Sequence, residues 1–213
     1  MQTSGIVLAG GFSNRFGQDK GLTLLAGKPL IKHVLNSLEK VAEEVIVVVS
    51  SKAQVERYAK VVGSSCRVLV DSTELHGPVA GAITGFEAAS GEYSVLLPCD
   101  TPFVLPDILS LLVDLCVNKN AAIPRWPNCY IEPLQAAYRT KPAAEAAAKA
   151  LCTGEVNMRA MVNKLSGVRY VSTMVLEQLD SEFRTFFNVN SPLDLRKAET
   201  MLIRGTDRKP RQG

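Results

Sequence analysis

The chain has 213 residues, a formal net charge of +3, 46% hydrophobic residues and 21% charged residues. These values predict one globular domain of α/β size, and the mild charge argues against nucleic acid or a membrane as a partner.

The five cysteines are scattered without a Cys-x-x-Cys pair, so we expect buried thiols in a reducing compartment. Two histidines offer little material for a zinc site. The sequence has no recognisable leader and no long apolar span, from which we expect a cytoplasmic protein.

Short apolar runs alternate with amphipathic segments along the chain. The runs predict strands at 6–8, 45–49, 67–70, 93–97, 121–123, 134–138 and 168–171. Helices are expected over 30–41, 53–62, 106–115, 142–151, 156–165 and 193–201, with another that ends near 89 after a glycine-rich entry at 76–81. This alternation predicts an α/β fold with a mostly parallel central sheet and right-handed crossovers. We expect a single domain over 1–203 and a flexible tail over 204–213.

The stretch after the first strand reads Ala-Gly-Gly-Phe-Ser-Asn-Arg-Phe-Gly-Gln-Asp-Lys over residues 9–20. Small residues such as Gly10 and Gly11 allow a sharp turn and close approach of the backbone to a ligand. Backbone N–H groups of such a turn, with Arg15 and Lys20 nearby, form a natural phosphate site. The stretch fits neither the Walker A pattern nor the Gly-x-Gly-x-x-Gly dinucleotide pattern. The alternative is an ordinary connection between a strand and a helix with two solvated cations.

Two aspartates also follow predicted strands. If the fourth strand returns to the far side of the first, Asp100 faces the 10–20 loop and Asp71 lies on the same edge. A carboxylate beside a triphosphate is how Mg²⁺ is usually held, so Asp100 is the candidate metal ligand; the alternative is a helix cap. Asp71 either contacts ribose or base or caps a turn with the residues that follow it. Ser50, at the end of the second strand, is a further candidate for a base or ribose contact.

These segments resemble the signature motifs of the MobA family, the molybdenum cofactor guanylyltransferases. The likeness extends over nearly the whole chain and rests on Leu8-Ala9-Gly10-Gly11, Ser13, Arg15, Gly17, Asp19-Lys20, Gly77-Pro78-Val79-Ala80-Gly81, Pro98-Cys99-Asp100-Thr101-Pro102 and Asn188-Val189-Asn190-Ser191-Pro192. One departure is Glu132-Pro133, where many members have His-Pro. The resemblance implies a Rossmann-like three-layer fold of the nucleotide-diphospho-sugar transferase type.

The resemblance also implies an activity: a Mg²⁺-dependent transfer of GMP from GTP to molybdopterin, with release of pyrophosphate. It assigns Arg15, Lys20 and Asp100 to catalysis, and Asn188 and Asn190 to the second substrate or metal. GTP would be bound by Leu8, Ala9, Gly10, Gly11, Lys20, Asp71, Gly77, Gly81 and Asp100. Its implied partners, besides the substrates, are molybdoenzymes or other proteins of cofactor biosynthesis.

Gly10 bears on the choice of base. Related cytidylyltransferases tend to carry Leu-Ala-Ala-Gly, and a glycine at this position would leave room for a purine, which favours GTP over CTP. Two alternatives stay open at this point. One is a related nucleotidyltransferase that uses CTP or another phosphate acceptor, and the other is a GTP-binding module without catalytic activity.

Overall fold

The computed structural model describes residues 2–10, 12–13, 18–71, 73 and 75–206. The strands within them are β1 Thr3–Leu8, β2 Phe12–Ser13, β3 Gln18–Asp19, β4 Leu24–Leu25, β5 Lys28–Pro29, β6 Glu44–Val49, β7 Cys66–Val70, β8 Tyr93–Pro98, β9 Ala121–Arg125, β10 Ala136–Arg139 and β11 Val168–Ser172. The α-helices are α1 Leu30–Leu38, α2 Lys52–Val62, α3 Pro78–Ala88, α4 Pro106–Cys116, α5 Thr140–Cys152, α6 Met158–Asn163, α7 Thr173–Leu176 and α8 Pro192–Thr206. Every predicted strand and helix is present, with ends shifted by a few residues.

A seven-stranded sheet in the order β11-β9-β10-β8-β1-β6-β7 forms the centre of the molecule. β1 pairs in parallel with both β6 and β8, and β6 pairs in parallel with β7. β10 is antiparallel to β8 and β9, so the sheet is mostly parallel, as predicted. The chain winds outward through β6 and β7 and then returns to the far side of β1 with β8. The direction of winding therefore reverses between β1 and β8, where a crevice forms at the carboxyl ends of the strands.

Helices cover both faces of the sheet. Successive side chains of a strand point to opposite faces, so Ile6 and Val7 of β1 enter different cores. The core that contains Val7 is completed mainly by residues of α1, α2 and α4. The core that contains Ile6 is completed mainly by residues of α3, α5 and α6. The continuous β-branched run of β6 is explained by this burial on two sides, and the architecture has three layers.

The C-terminal segment packs on the connection between β1 and α1. Val189 and Ala198 are buried against Leu25 and Leu30 in a small third core. Helix α8 runs to Thr206, five residues beyond the predicted helix end and into the predicted tail. Residues 207–213 lie outside the described residues, so the flexible tail stays a prediction there. Among the helices that the structure describes, none has the length and apolar character needed to cross a membrane.

All five cysteines are free, which agrees with the prediction that they form no disulfide framework. The expectation that they are buried is correct for Cys66, Cys99 and Cys116 but wrong for Cys129 and Cys152, which are exposed. Cys129 lies in the connection between β9 and β10, and Cys152 ends α5, where hydrophobic periodicity gives no indication of burial.

Candidate active site

Lys20 and Asp100 contact each other although they are 80 residues apart in the chain. Lys20 Nζ forms an ion pair with Asp100 Oδ2, and the two side chains are 16% and 11% exposed. The same ammonium donates a hydrogen bond to Asn190 Oδ1 at 2.5 Å. Asp100 is not a helix cap, because α4 begins only at Pro106 with Leu105 as its N-cap residue. The pair therefore lies at the crevice between β1 and β8, as the sequence predicts.

A cleft of about 630 Å³ opens beside this pair. Its size suits a nucleotide, since small-molecule sites usually enclose several hundred Å³. The predicted site residues among its lining are Leu8, Gly10, Lys20, Asp71, Gly77, Gly81 and Asp100. Ser50, the further candidate, follows β6 and lines it as well. The loops after four parallel strands thus meet at one edge of the sheet.

The absence of a side chain at Gly10 has a different cause from the one predicted. A Cβ at Gly10 would collide with Ser50 Oγ and would lie 3.0 Å from Ser50 N. Ser50 Oγ donates a hydrogen bond to Gly10 O at 2.6 Å, so the hydroxyl occupies the space that we expected a purine to use. The argument from Gly10 for guanine was therefore wrong, and this glycine is required by the contact between two neighbouring loops.

Two more glycines allow close packing around the cleft. A Cβ at Gly77 would lie 2.6 Å from Val156 Cβ and 2.8 Å from Val156 O. A Cβ at Gly81 would lie 3.3 Å from Leu8 Cδ2. Glycine therefore lets the first turn of α3 approach β1 and the α5–α6 connection closely, which brings the start of this helix to the cleft.

Asp71 caps a turn, as one of the two interpretations predicts, and its contact with ribose or base stays a prediction. It lines the cleft, and its Oδ1 accepts hydrogen bonds from the backbone N–H and the hydroxyl of Thr73, both at 3.0 Å. These bonds fix Oδ1 and leave Oδ2 outside them. The carboxylate is therefore held in a defined position at the rim of the cleft.

Comparison with known proteins agrees with this geometry. Residues 5–168 match the family model of the MobA-like NTP transferase domain. The chain belongs to the MobA-like NTP transferase family. It is 32% identical to a probable molybdenum cofactor guanylyltransferase of Natronomonas pharaonis, over 94% of this chain and 98% of the relative. It is 35% identical to the protein of the same name from Methanosarcina mazei, over 90% of this chain and 88% of the relative.

Solved structures agree with the fold of this MobA-like transferase. Molybdopterin-guanine dinucleotide biosynthesis protein A from Archaeoglobus fulgidus superposes with a TM-score of 0.81 at 28% identity, over 94% of this chain and 99% of that one. The 2-C-methyl-D-erythritol 4-phosphate cytidylyltransferase from Thermus thermophilus, at 20% identity, has a TM-score of 0.69 over 94% of this chain and 98% of that one. The three-layer fold of nucleotidyltransferases is therefore confirmed, and this protein is a nucleotidyltransferase.

Asp100 has the features of a ligand for a divalent cation. Its Oδ1 is buried and accepts no hydrogen bond from the part of the chain that the structure describes. No group of three or more His, Cys, Asp or Glu side chains suited to a metal occurs among the described residues. A single carboxylate that leaves the other positions to phosphate oxygens and water is the usual arrangement for Mg²⁺. The site therefore fits a metal that arrives with a polyphosphate.

Cys99 precedes this carboxylate and lines the cleft, but it is not suited to be a nucleophile. It is 5% exposed. Burial, followed by the negative charge of Asp100, raises the pKa of the Cys99 thiol. A thiol in this state is not ionised at neutral pH, and the thiolate is the nucleophilic form. A covalent intermediate on Cys99 is therefore disfavoured.

Five predicted site residues either do not line the cleft or lie outside the described residues. Asn190 is one of them, although it accepts a hydrogen bond from Lys20. Ala9 is buried beneath it, with its N–H donating to Val48 O and its carbonyl accepting from the Tyr58 hydroxyl. Asn188 donates to the carbonyl of Phe186 at 3.1 Å and is not among the lining residues. Gly11 and Arg15 lie outside the described residues, so their roles stay predictions.

The sequence analysis missed several residues around the cleft. His76 lines it next to Gly77, and Leu134 lines it from the connection between β9 and β10. In the same connection, Trp126 Nε1 donates to Glu132 Oε1 at 2.8 Å, and the Trp126 ring packs on Phe183 and Phe186. A lone tryptophan followed by a proline turn gives no periodic signal. The nearest available hint was the Glu132-Pro133 departure from the family pattern.

Proposed function

We propose that this protein transfers GMP from GTP to the terminal phosphate of molybdopterin, forming the guanine dinucleotide cofactor and releasing pyrophosphate. The observation that carries the proposal is the contact of Lys20 with Asp100 at the crevice between β1 and β8. It supports the proposal because it joins a cation suited to phosphate and a carboxylate suited to a metal at the place where such sheets bind nucleotides. The names of the Natronomonas, Methanosarcina and Archaeoglobus relatives support the choice of substrates.

The cleft suggests how the two substrates would be arranged. The triphosphate would lie against the 10–20 loop and Lys20, and the nucleoside would extend toward Asp71 and Gly77. The acceptor would approach from the side of Asn190, because this residue contacts the Lys20 ammonium. Lys20 would then lie between donor and acceptor, where negative charge accumulates during transfer.

The reaction needs little proton chemistry from the protein. A phosphate oxygen of the acceptor forms a bond to the α-phosphorus of GTP while the bond to the bridging oxygen breaks. The electron pair of the broken bond leaves with pyrophosphate. Because the acceptor phosphate is already anionic near neutral pH, no general base is required. Catalysis then depends on positioning and on the stabilisation of charge.

Lys20 is the residue best placed to stabilise that charge. Its ammonium forms an ion pair with Asp100 and donates a hydrogen bond to Asn190. We expect it to exchange these partners for phosphate oxygens, and Arg15 to assist it. Mg²⁺ bound through Asp100 would supply positive charge to the phosphate oxygens.

The test is incubation with molybdopterin, Mg²⁺ and an equimolar mixture of GTP and CTP, followed by mass analysis of the product and measurement of pyrophosphate. We expect the guanine dinucleotide, formed with pyrophosphate, and no product when Mg²⁺ is removed by a chelator. A cytosine dinucleotide would overturn the choice of base. Nucleotide binding without pyrophosphate release would indicate a binding module.

A further inference from the structure

Helix α2 presents an unusual polar face toward the loop that ends at Lys20. Gln54, Arg57 and Tyr58 are spaced so that they lie on one side of the helix. Gln54 is 4% exposed and Tyr58 is fully buried, although the helix lies at the molecular surface and its other residues are mostly exposed or half-buried. Buried polar side chains are costly unless they are hydrogen-bonded, so their partners indicate what this face does.

The side-chain amide of Gln54 connects both ends of the loop. Its Nε2 donates to Asp19 Oδ1 at 2.7 Å, and its Oε1 accepts from the Ser50 N–H at 2.9 Å. The Ser50 hydroxyl in turn donates to Gly10 O at 2.6 Å. A backbone N–H can only donate and a carboxylate can only accept, so the orientation of this amide is determined by its partners.

Arg57 and Tyr58 strengthen the same two attachments. Arg57 Nη1 lies 2.8 Å from Asp19 Oδ2, and the Asp19 side chain is completely buried while that of Arg57 is half exposed. Tyr58 donates its hydroxyl proton to Ala9 O at 3.2 Å, immediately before Gly10. Burial raises the pKa of Tyr58, which keeps the hydroxyl protonated as a donor.

The attachment of Asp19 determines the direction of Lys20. Asp19 has an extended backbone, with φ −62° and ψ 123°. Lys20 follows at once as the first residue of the 3₁₀ turn Lys20–Leu22, so the position of Asp19 determines where this turn begins. With the Asp19 carboxylate bound to α2, the Lys20 side chain meets Asp100 and Asn190.

We propose that Gln54, Arg57 and Tyr58 are positioning residues that bind both ends of the phosphate-binding loop and thereby place Lys20 in the cleft. None of the three lines the cleft, so they act through Asp19, Ala9 and Ser50. The effect on catalysis rests on the proposed function, but the positioning of the loop does not. Misplacement of a reacting group by about 1 Å can cost about 100-fold in rate, so small shifts of Lys20 matter.

The test compares Gln54→Met with Thr140→Val. Gln54→Met keeps the approximate volume and removes the hydrogen bonds of the amide to Asp19 and Ser50, together with a longer one from the Ser51 hydroxyl. Thr140 is a matched control, because it is also buried and lies at the opposite edge of the sheet. Its hydroxyl donates a hydrogen bond to Gly91 O at 2.7 Å and shares another with Ser94 Oγ at 2.8 Å. Arg57→Met serves as a second variant with lower risk of misfolding, and Arg57→Lys as its conservative partner.

Two measurements distinguish positioning from general destabilisation. Amide hydrogen exchange without nucleotide should become faster in segments 8–10 and 19–23 of Gln54→Met, and not in Thr140→Val. The value of kcat/KM for GTP should fall about 10- to 100-fold in Gln54→Met and less in Arg57→Met, with partial recovery in Arg57→Lys. Thr140→Val should keep normal kinetics well below its Tm.

Unchanged exchange in both segments would overturn the proposal, as would faster exchange spread equally over the whole protein. Normal kinetics in Gln54→Met and Arg57→Met would also overturn it. If the wild-type protein forms no guanine product and exchange still rises in the two segments, the proposed function fails while the positioning role is supported.

Discussion

The two sides of the cleft are built in different ways. The nucleotide side consists of the ends of β1, β6, β7 and β8, where Gly10, Ser50, Asp71 and Asp100 follow buried strands. We call the two other segments that reach the cleft its opposite side: the β9–β10 connection contributes Leu134 to the lining, and the segment 183–190 contributes Asn190, which contacts Lys20. Trp126, Phe183 and Phe186 pack together where these two segments meet. Parallel strands bring their ends to one edge by geometry, whereas the opposite side depends on contacts between irregular segments. We therefore expect changes on the first side to affect nucleotide chemistry and changes on the second to affect the acceptor.

The largest effect is expected at the Lys20–Asp100 contact. Asp100→Asn and Lys20→Met each remove one preorganised charge, which should lower kcat about 10²–10³-fold. The measurement is steady-state pyrophosphate release with saturating GTP and acceptor, together with the Tm of each variant. A near-normal rate in either variant would remove that residue from the catalytic machinery.

The next effect concerns the contact of Gly10 with Ser50. Gly10→Ala inserts a methyl group where Ser50 Oγ lies, and such overpacking costs about 1–3 kcal/mol. We expect GTP affinity, measured by calorimetry, to fall about 10-fold. Adding Ser50→Gly should restore part of the affinity because it removes the obstructing hydroxyl.

Gly85→Ala is the matched control for this loss. A Cβ at Gly85 would collide with Ile6 Cγ2 in the core, away from the cleft. It should lower the free energy of unfolding without changing GTP affinity. Equal losses of affinity in Gly85→Ala and Gly10→Ala would mean that nucleotide binding follows global stability alone.

On the opposite side of the cleft we expect a smaller effect, which changes KM for the acceptor and leaves GTP affinity unchanged. Burial raises the pKa of Glu132, and the hydrogen bond from Trp126 opposes that rise while fixing the carboxylate. Trp126→Phe removes this donor, and one hydrogen bond is worth about 1 kcal/mol. We expect KM for the acceptor to rise about 2- to 10-fold with GTP affinity unchanged. A change in GTP affinity of the same size would contradict the division into two sides.

The smallest effect, on the pH dependence of stability, is expected at His33, which belongs to neither side of the cleft. Burial, more than the nearby charge of Lys28, lowers the pKa of His33, while its bond to the carbonyl of Leu25 opposes this. The unfolded chain then binds a proton more readily than the folded chain, so stability is lost as pH falls below the ordinary pKa of about 6.5. His33→Gln should flatten this dependence in urea denaturation between about pH 5 and pH 8. If the free energy of unfolding of His33→Gln falls with pH as steeply as that of the wild-type protein, other groups cause the loss.

Sequence reasoning located the nucleotide side because its signals are local. Each strand appears as a short apolar run, and the residue after it stands at the edge where parallel strands end. The cation Lys20 and the carboxylate Asp100 were therefore placed together before their contact was known. The sequence did not indicate that His76 and Leu134 line the cleft. Both lie in loops, and the course of a loop through space is not predicted by hydrophobic periodicity. The prediction of why residue 10 is a glycine was wrong, because the residue that it contacts, Ser50, follows a different strand.

The amino-acid sequence by itself determined the order of strands and helices, the parallel character of the sheet and the edge at which the candidate site lies. Hydrophobic periodicity and chain connectivity carry this information, and both are properties of neighbouring residues. Tertiary structure alone decided that Gln54 supports Asp19, that Ser50 fills the space beside Gly10 and that Trp126 orients Glu132. These pairings depend on side-chain packing between distant segments, which no local pattern encodes.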